Sequence, residues 1–252
     1  MANNESWEKI FNDFKILEHN FDESSFEISA SDIKKSCQNF KSVNQKEVRI
    51  LCKQDFRNSR PKVFQDNNLF LLPVRNGYYK IVKGEGYVDI PEIESEILEY
   101  NSKLDFILET STVGNSEMQH LDFAYASSLI RTFMNDPSLV LTIRGRKYTP
   151  KFSFKVKEQI IEVESVQTEV DAGYEGKDKI VLIEAKNSTT SNTIIRQLFY
   201  PYKQWKNYTS KEVYLLFFEK RGDIYNIWQY GFSNDNDYNS IQLIKSARYK
   251  IA

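Results

Sequence analysis

The chain has 252 residues, of which 27% are charged and 40% hydrophobic, with a net charge of −1 and a pI near 6.2. That length suits one large domain or two small ones, and the near-neutral balance gives no global sign of a polyanion binder. Two cysteines and two histidines exclude a disulfide scaffold and leave no zinc-ligand spacing.

Cys37 and Cys52 are expected to pack as small apolar side chains in a reducing compartment. The N-terminus lacks the basic-then-apolar pattern of a signal segment, and no apolar run approaches the roughly 18 residues of a membrane helix. A cytosolic protein is expected.

Residues 1–91 read as a separate N-terminal unit. Trp7, Ile10, Phe11, Phe14 and Leu17 fall at helical spacing over residues 5–19, and Ser31 with Asp32 starts a second helix over 29–39. Residues 46–62 carry Lys46, Arg49, Lys53, Arg57, Arg60 and Lys62 against only Glu47 and Asp55. Two strands follow, over 69–74 and 78–82, joined by Arg75-Asn76-Gly77, and Asn-Gly is a strong hairpin signal. Helices followed by a basic hairpin are similar to a winged helix-turn-helix, in which a helix enters the major groove. A plain α/β subdomain packed on the rest of the chain fits the same pattern.

Residues 92–252 form the second unit. Residues 92–109 are acidic and predict a solvated helix. Asn115, Ser116 and Glu117 open a stronger helix to about Met134, with Met118, Leu121, Tyr125, Leu129 and Phe133 along its apolar stripe, and Pro137 ends it. A strand over 139–143 leads into Arg144-Gly145-Arg146, read as a turn. Residues 148–156 then alternate, with Phe152, Phe154 and Val156 on one face and Lys151, Ser153, Lys155 and Lys157 on the other. Arg144, Arg146, Lys147, Lys151, Lys155 and Lys157 are six bases without an acid in residues 144–157. Such a run could track a phosphate backbone or form solvated strand faces. Arg49, Arg57 and Arg60 are candidate readers of base edges.

Strands over 160–163 and 166–170 lead to Asp171. Ala172-Gly173 reads as a tight turn, and an apolar strand then runs to Glu184, Ala185 and Lys186. An acid, a turn and an acid-X-lysine at a strand end can hold a divalent metal beside an ammonium group, as hydrolysis of a phosphodiester requires. Regular alternation places Glu169 on the face of Asp171 as a supporting acid. A polar loop over 187–192 caps a helix starting at Thr193, in which Pro201 should produce a kink. Leu198, Tyr202 and Trp205 are its core face, while Arg196 and Gln197 are polar and close to the acidic strand. Residues 213–218 are a buried strand, and 224–230, 241–244 and 249–251 complete the sheet.

Asp171 with Glu184-Ala185-Lys186 resembles the active-site motif of the PD-(D/E)XK nucleases, most closely their Type II restriction endonuclease branch. Val170 stands where the family name has proline. The resemblance implies an α+β fold: a restriction-endonuclease-like core with a central mixed sheet flanked by helices, here with the winged-helix-like unit added. It implies Asp171 and Glu184 as Mg²⁺ ligands and Lys186 as the catalytic lysine. Glu117 would be the glutamate offered by the helix before the catalytic sheet. Gln197 near Tyr200 is similar to the glutamine that follows the lysine strand in such enzymes, with Arg196 beside it on the DNA. The implied activity is site-specific cleavage of double-stranded DNA by a bacterial or archaeal restriction-modification enzyme acting as a homodimer. A structure-specific or repair nuclease of the same superfamily would share the site, and a non-catalytic winged-helix regulator would use the N-terminal unit alone.

Overall fold

The computed structural model describes residues 3–187 and 189–252, with Thr112 described in its backbone alone; Ser188 of the expected polar loop lies outside the described residues. The chain begins with α1 (Asn4–Asp13), β1 (Phe26–Ser29) and α2 (Ala30–Cys37). Three short helices follow, α3 (Val43–Lys46), α4 (Val48–Leu51) and α5 (Lys62–Asp66), then the hairpin of β2 (Leu69–Arg75) and β3 (Tyr78–Lys83). The strands pair antiparallel in the order β1-β3-β2. Helix α2 starts one turn element earlier than Ser31 suggests: Ser29 caps it, its Oγ accepting the Asp32 N–H at 3.1 Å in a reciprocal capping box. Trp7, Ile10 and Phe11 are buried as their spacing requires, and Trp7 and Phe11 meet Phe64 edge to face. Gly77 turns the hairpin at φ +75°, a conformation that costs glycine little.

The rest of the chain runs β4 (Tyr87–Asp89), β5 (Leu98–Tyr100), α6 (Glu117–Ala126), α7 (Leu129–Phe133), β6 (Val140–Tyr148), β7 (Phe152–Val156) and β8 (Gln159–Val163). It continues through β9 (Gln167–Glu175), β10 (Lys179–Lys186), β11 (Asn192–Ile194), α8 (Arg196–Lys206), β12 (Glu212–Arg221), β13 (Ile224–Phe232) and β14 (Ile241–Ile251). Seven strands form one mixed sheet in the order β5-β14-β13-β12-β10-β9-β6. The β10/β12 and β14/β5 pairs are parallel and the others antiparallel. Helices cover both faces, so the α+β class with a central mixed sheet is the observed one. Leu121, Leu129, Ile130 and Phe133 pack on Ala172, Val181 and Ile183, while Leu198 and Tyr202 pack on Val170, Leu182 and Phe217. Among the described residues no helix is long and apolar enough to cross a membrane.

Several local expectations are corrected by pairing that only the folded chain supplies. Residues 92–109 form no α-helix; they hold β5 and the start of a short 3-10 turn over Glu109–Thr112. Their apolar residues are instead drawn apart to the two sides of the sheet: Ile93 joins the core on the α8 face, and Tyr100, at the end of β5, joins the core on the α6 face. The helix expected over 115–134 is broken by Ser128 at φ +67°. Arg144-Gly145-Arg146 is not a turn: Gly145, at φ +80°, lies inside the long edge strand β6. Ala172-Gly173 is also mid-strand, since β9 runs on to Glu175 and turns only at Gly176. Thr193 sits in β11, paired with Val88, and α8 begins at Arg196 instead. Residues 241–251 are one strand rather than two because β13 pairs along the whole length.

Gly173 shows why the strand tolerates no side chain there. A Cβ at this position would lie 2.6 Å from Ile143 Cβ on the neighbouring strand. Gly173→Ala should therefore destabilise the protein by about 1–3 kcal/mol, as overpacking does. Urea unfolding monitored by tryptophan fluorescence reads this directly, and an unchanged midpoint would contradict the close β6–β9 approach.

Candidate functional site

Asp171 owes its position to an irregularity in β9. Ile143 pairs with Gly173 but Gly145 pairs with Val170, so β9 carries one more residue than β6 across this step. That is a β-bulge, a device that re-aims side chains. Its effect is visible in the packing. Val170 joins the core on the α8 face, whereas Ala172, two residues on, joins the core on the α6 face. Pairing of β9 with β10 ends at Ile183↔Ala172. One step further, the Asp171 Oδ2 accepts the Ala185 N–H at 2.8 Å where no ladder partner continues. The carboxylate is thus pinned beside Glu184 and Lys186, which emerge from the end of β10.

Glu184 and Lys186 point to the same face, two residues apart, and form an ion pair with side chains only 10% and 16% exposed. Burial is the largest influence on both. It pushes the Glu184 carboxyl up to about 7, against the Lys186 ammonium, with the Asp171 carboxylate adding to the rise. At Lys186 burial disfavours the charge, yet the Glu184 carboxylate outweighs it and raises the pKa, so the ammonium persists at neutral pH. Asp171 is raised as well, chiefly by burial and secondarily by Glu117 and Glu169, while the Ala185 N–H and Lys186 oppose that rise.

These residues line one open cleft of about 840 Å³ between the sheet and the N-terminal unit. Glu117 reaches it from the first turn of α6 and accepts the Asn187 N–H at 3.0 Å, holding the turn after Lys186. Gln197 reaches it from α8, its Oε1 accepting the Thr193 hydroxyl at 2.6 Å. Tyr200 is almost fully buried beneath it and donates its hydroxyl to the Pro73 carbonyl at 3.0 Å. Glu169 also lines the cleft, paired with Arg146 at 3.2 Å. Asp171, Glu184, Lys186, Glu117 and Gln197, far apart in sequence, are therefore brought together.

The basic candidates divide. Arg49 and Arg196 line the cleft; Arg196 lies 3.6 Å from Asp55 and its buried Nε has no hydrogen-bond partner. Arg57 and Arg60 do not line it. Arg57 is engaged by Asp89 and Glu85, and Arg60 donates to the Leu69 carbonyl and lies over the Tyr87 ring. These partners all lie within residues 1–91; Arg57 reaches the second unit through its backbone N–H, which donates to Asn192 Oδ1 at 2.8 Å. Arg144 and Arg146 pair with Asp122 and Glu169 on β6, and Lys147 lies on the same exposed edge. Lys151 is 4.0 Å from Glu162, and Lys155 and Lys157 belong to the separate β7–β8 hairpin. None of these six lines the cleft. The acids facing Arg144, Arg146 and Lys151 from helix α6 and from neighbouring strands explain why a run without acids in sequence is not a bare positive rail in space. Residues the sequence did not single out do line it, among them Lys53, Arg75 and the Asn76-Gly77 turn. The hairpin signal located that turn, but its direction depends on packing between the units.

Among the described residues no group of three or more His, Cys, Asp or Glu side chains is gathered to hold a metal. Asp171 and Glu184 are the pair that could hold one. The second oxygen of each accepts no hydrogen bond from the described residues. Glu117 and Glu169 line the same cleft and Lys186 stands beside Glu184, and hard oxygen donors such as Asp171 and Glu184 suit Mg²⁺, which retains waters and needs only one or two carboxylates from the protein.

The chain matches two family models, one described as a domain of unknown function (DUF6996) over residues 4–81 and one as a domain of unknown function (DUF6997) over residues 82–250. It belongs to the DUF6997 family, which spans more than half of the sequence. Neither a curated protein nor a solved structure matches it.

The raised Glu184 pKa sets a pH dependence for the metal-free protein. Unfolded, the carboxyl titrates near its ordinary 4.5; folded, near 7. Between these values the folded protein holds a proton that the unfolded chain releases, so stability falls as pH rises through this window. The fall is up to about 3 kcal/mol and is complete above pH 7. Glu184→Gln should remove that part of the slope. Thermal unfolding of both proteins in EDTA from pH 4.5 to 8 checks it, and parallel curves would contradict the burial of an ionising Glu184.

Proposed function

We propose that this protein is a Mg²⁺-dependent endonuclease that hydrolyses phosphodiester bonds in double-stranded DNA, built on the restriction-endonuclease-like core that its acid and acid-X-lysine segments resemble. One observation carries this reading: Asp171, Glu184 and Lys186 stand together at the open end of neighbouring strands, with Glu117 and Gln197 on the rim of the same cleft. The carboxylates of Asp171 and Glu184, beside the single ammonium of Lys186, fit a hard divalent cation.

Asp171 and Glu184 would hold the metal. Bound there, Mg²⁺ would polarise the scissile phosphate and make water a stronger nucleophile. Lys186 keeps its ammonium at neutral pH and would orient the attacking water or stabilise charge developing on the phosphate. The Ala185 N–H holds Asp171 in one orientation, so the site is preorganised through backbone. Gln197, with its oxygen engaged by Thr193, has its amide N–H₂ available to a phosphate oxygen. Glu117 keeps the chain after Lys186 in place.

The Type II restriction reading adds sequence specificity and action as a homodimer, one subunit per strand. The N-terminal unit supports the first point. Its order of helix, strand, helices and hairpin, with the sheet order β1-β3-β2, suits a winged-helix-like reader, and its hairpin tip lies in the cleft.

Supercoiled plasmid incubated with the protein and Mg²⁺ should yield discrete fragments, and EDTA should abolish cleavage. Asp171→Ala and Glu184→Ala should lose cleavage while remaining folded, because each removes a ligand and little core volume. Lys186→Ala should lower turnover by about 10²–10³-fold with DNA affinity retained. Wild-type rates in Asp171→Ala or Glu184→Ala would remove the assignment.

A further inference from the structure

The wall of the cleft that faces the acidic floor is made by the N-terminal unit. Arg49, on the short helix α4, and Cys52 and Lys53, just after its end, line it together. The tip of the β2–β3 hairpin, Arg75-Asn76-Gly77, also lines it, with the Arg75 guanidinium bonded to Glu27 at 2.7 Å and lying over the Tyr78 ring, so that the turn offers chiefly its polar backbone and Asn76. The cations Arg49 and Lys53 are lightly engaged. Arg49 is exposed and forms no ion pair among the described residues, and Lys53 is 74% exposed, 3.8 Å from Asp55. This differs from Arg57 and Arg60, whose guanidinium groups are taken up by Asp89 and by the Leu69 carbonyl.

The wall is fixed to the elements that carry the floor. β4 pairs with β11, the Ile194 N–H donates to the Asp55 carbonyl at 2.8 Å, and the Ile195 N–H donates to the Gly86 carbonyl at 2.9 Å. Tyr200 on α8 holds Pro73 on β2. Phe70, Leu72 and Val74 of the hairpin share a core with Ile194, Phe199 and Tyr200. Tyr200 also lines the cleft, so one helix touches both walls. The separation of wall and floor is therefore set by a packed core and not by a linker.

We infer that Arg49, Lys53 and the Arg75-Asn76-Gly77 turn grip DNA directly opposite the Asp171, Glu184 and Lys186 floor, so that the base pairs read by the N-terminal unit adjoin the phosphodiester that is cut. This rests on the nuclease reading of the floor. A single strand advances 3.4 Å per nucleotide. Contacts made within one cleft therefore fall within a few nucleotides of each other. A reader on a flexible tether would instead permit cleavage at a distance of a helical turn or more, about 10 base pairs.

Two measurements on the full-length protein test this. In the first, plasmid is cut with Mg²⁺ and the ends are sequenced. The consensus should lie at or immediately beside the cut, and a consensus displaced by about 10 base pairs or more overturns the inference. In the second, a 30-base-pair duplex is titrated by fluorescence anisotropy over a salt series, with the cleavage-deficient Asp171→Ala protein as parent. Adding Arg49→Ala and Lys53→Ala should weaken binding and lower the salt slope by about two, close to one per lost phosphate contact. Adding Lys151→Ala and Lys155→Ala instead, on the hairpin outside the cleft, should leave the slope unchanged. A slope that depends on Lys151 and Lys155 and not on Arg49 and Lys53 overturns the grip. DNA binding that depends on Arg49 and Lys53 without any Mg²⁺-dependent cleavage keeps the grip and removes the nuclease reading. Absence of both binding and cleavage removes both.

Discussion

A carboxylate withdrawn from water needs a compensating charge, and the site is organised around that need at Glu184. Its side chain ends β10 almost without solvent contact, beside Asp171, with Lys186 as its ion-pair partner. With Glu169 engaged by Arg146, the Lys186 ammonium stands against Asp171, Glu184 and Glu117, which leaves the floor negative. Burial answers this in the metal-free protein by drawing a proton onto Glu184. A divalent cation would answer it more completely, and under the proposed nuclease reading it would join a lysine already charged and in place.

The fold supplies the rigidity this requires. The bulge in β9 turns Asp171 toward β10 while Val170 and Ala172 anchor it in cores on opposite faces of the sheet. Parallel pairing with β12 sets Lys186 beside Glu219, a fully buried acid held by two hydrogen bonds from Arg221, at 2.6 and 3.0 Å. Arg221 in turn holds Glu92, so the chain leaving the N-terminal unit is tied to the strand that supports the lysine. Breaking a buried pair of this kind leaves an uncompensated charge, which is why such clamps keep a single geometry.

Much of this was legible in sequence where the signal is local. The Asn76-Gly77 hairpin, the buried strand now labelled β12, and the acid-X-lysine at the end of an apolar strand all declare themselves within a few residues. What failed was whatever depends on a neighbour. Ala172-Gly173 reads as a turn, but Gly173 is a mid-strand residue required by Ile143 across the sheet. Arg144-Gly145-Arg146 reads as a turn for the same reason, though its glycine only accommodates an irregular strand edge. Basic residues were the least legible. Arg57 and Arg60 look no different from Arg49 and Lys53 in sequence, and only their contacts with Asp89, Leu69 and Tyr87 separate engaged guanidinium groups from the lightly engaged cations of the cleft. The acids that neutralise Arg144, Arg146 and Lys151 lie on other strands or helices, beyond the reach of a linear charge count.

Cation binding at Asp171 and Glu184 can be measured without any substrate. Isothermal titration of Mn²⁺, a redox-stable stand-in for Mg²⁺ in oxygen sites, into the full-length protein at pH 7 should show saturable binding accompanied by proton release as the Glu184 carboxyl ionises. Running the titration in buffers of different ionisation enthalpy isolates the protons. The account predicts that both the binding and the proton release disappear in Glu184→Gln and that binding is lost in Asp171→Ala. Equal Mn²⁺ binding by the wild type and both variants would contradict it.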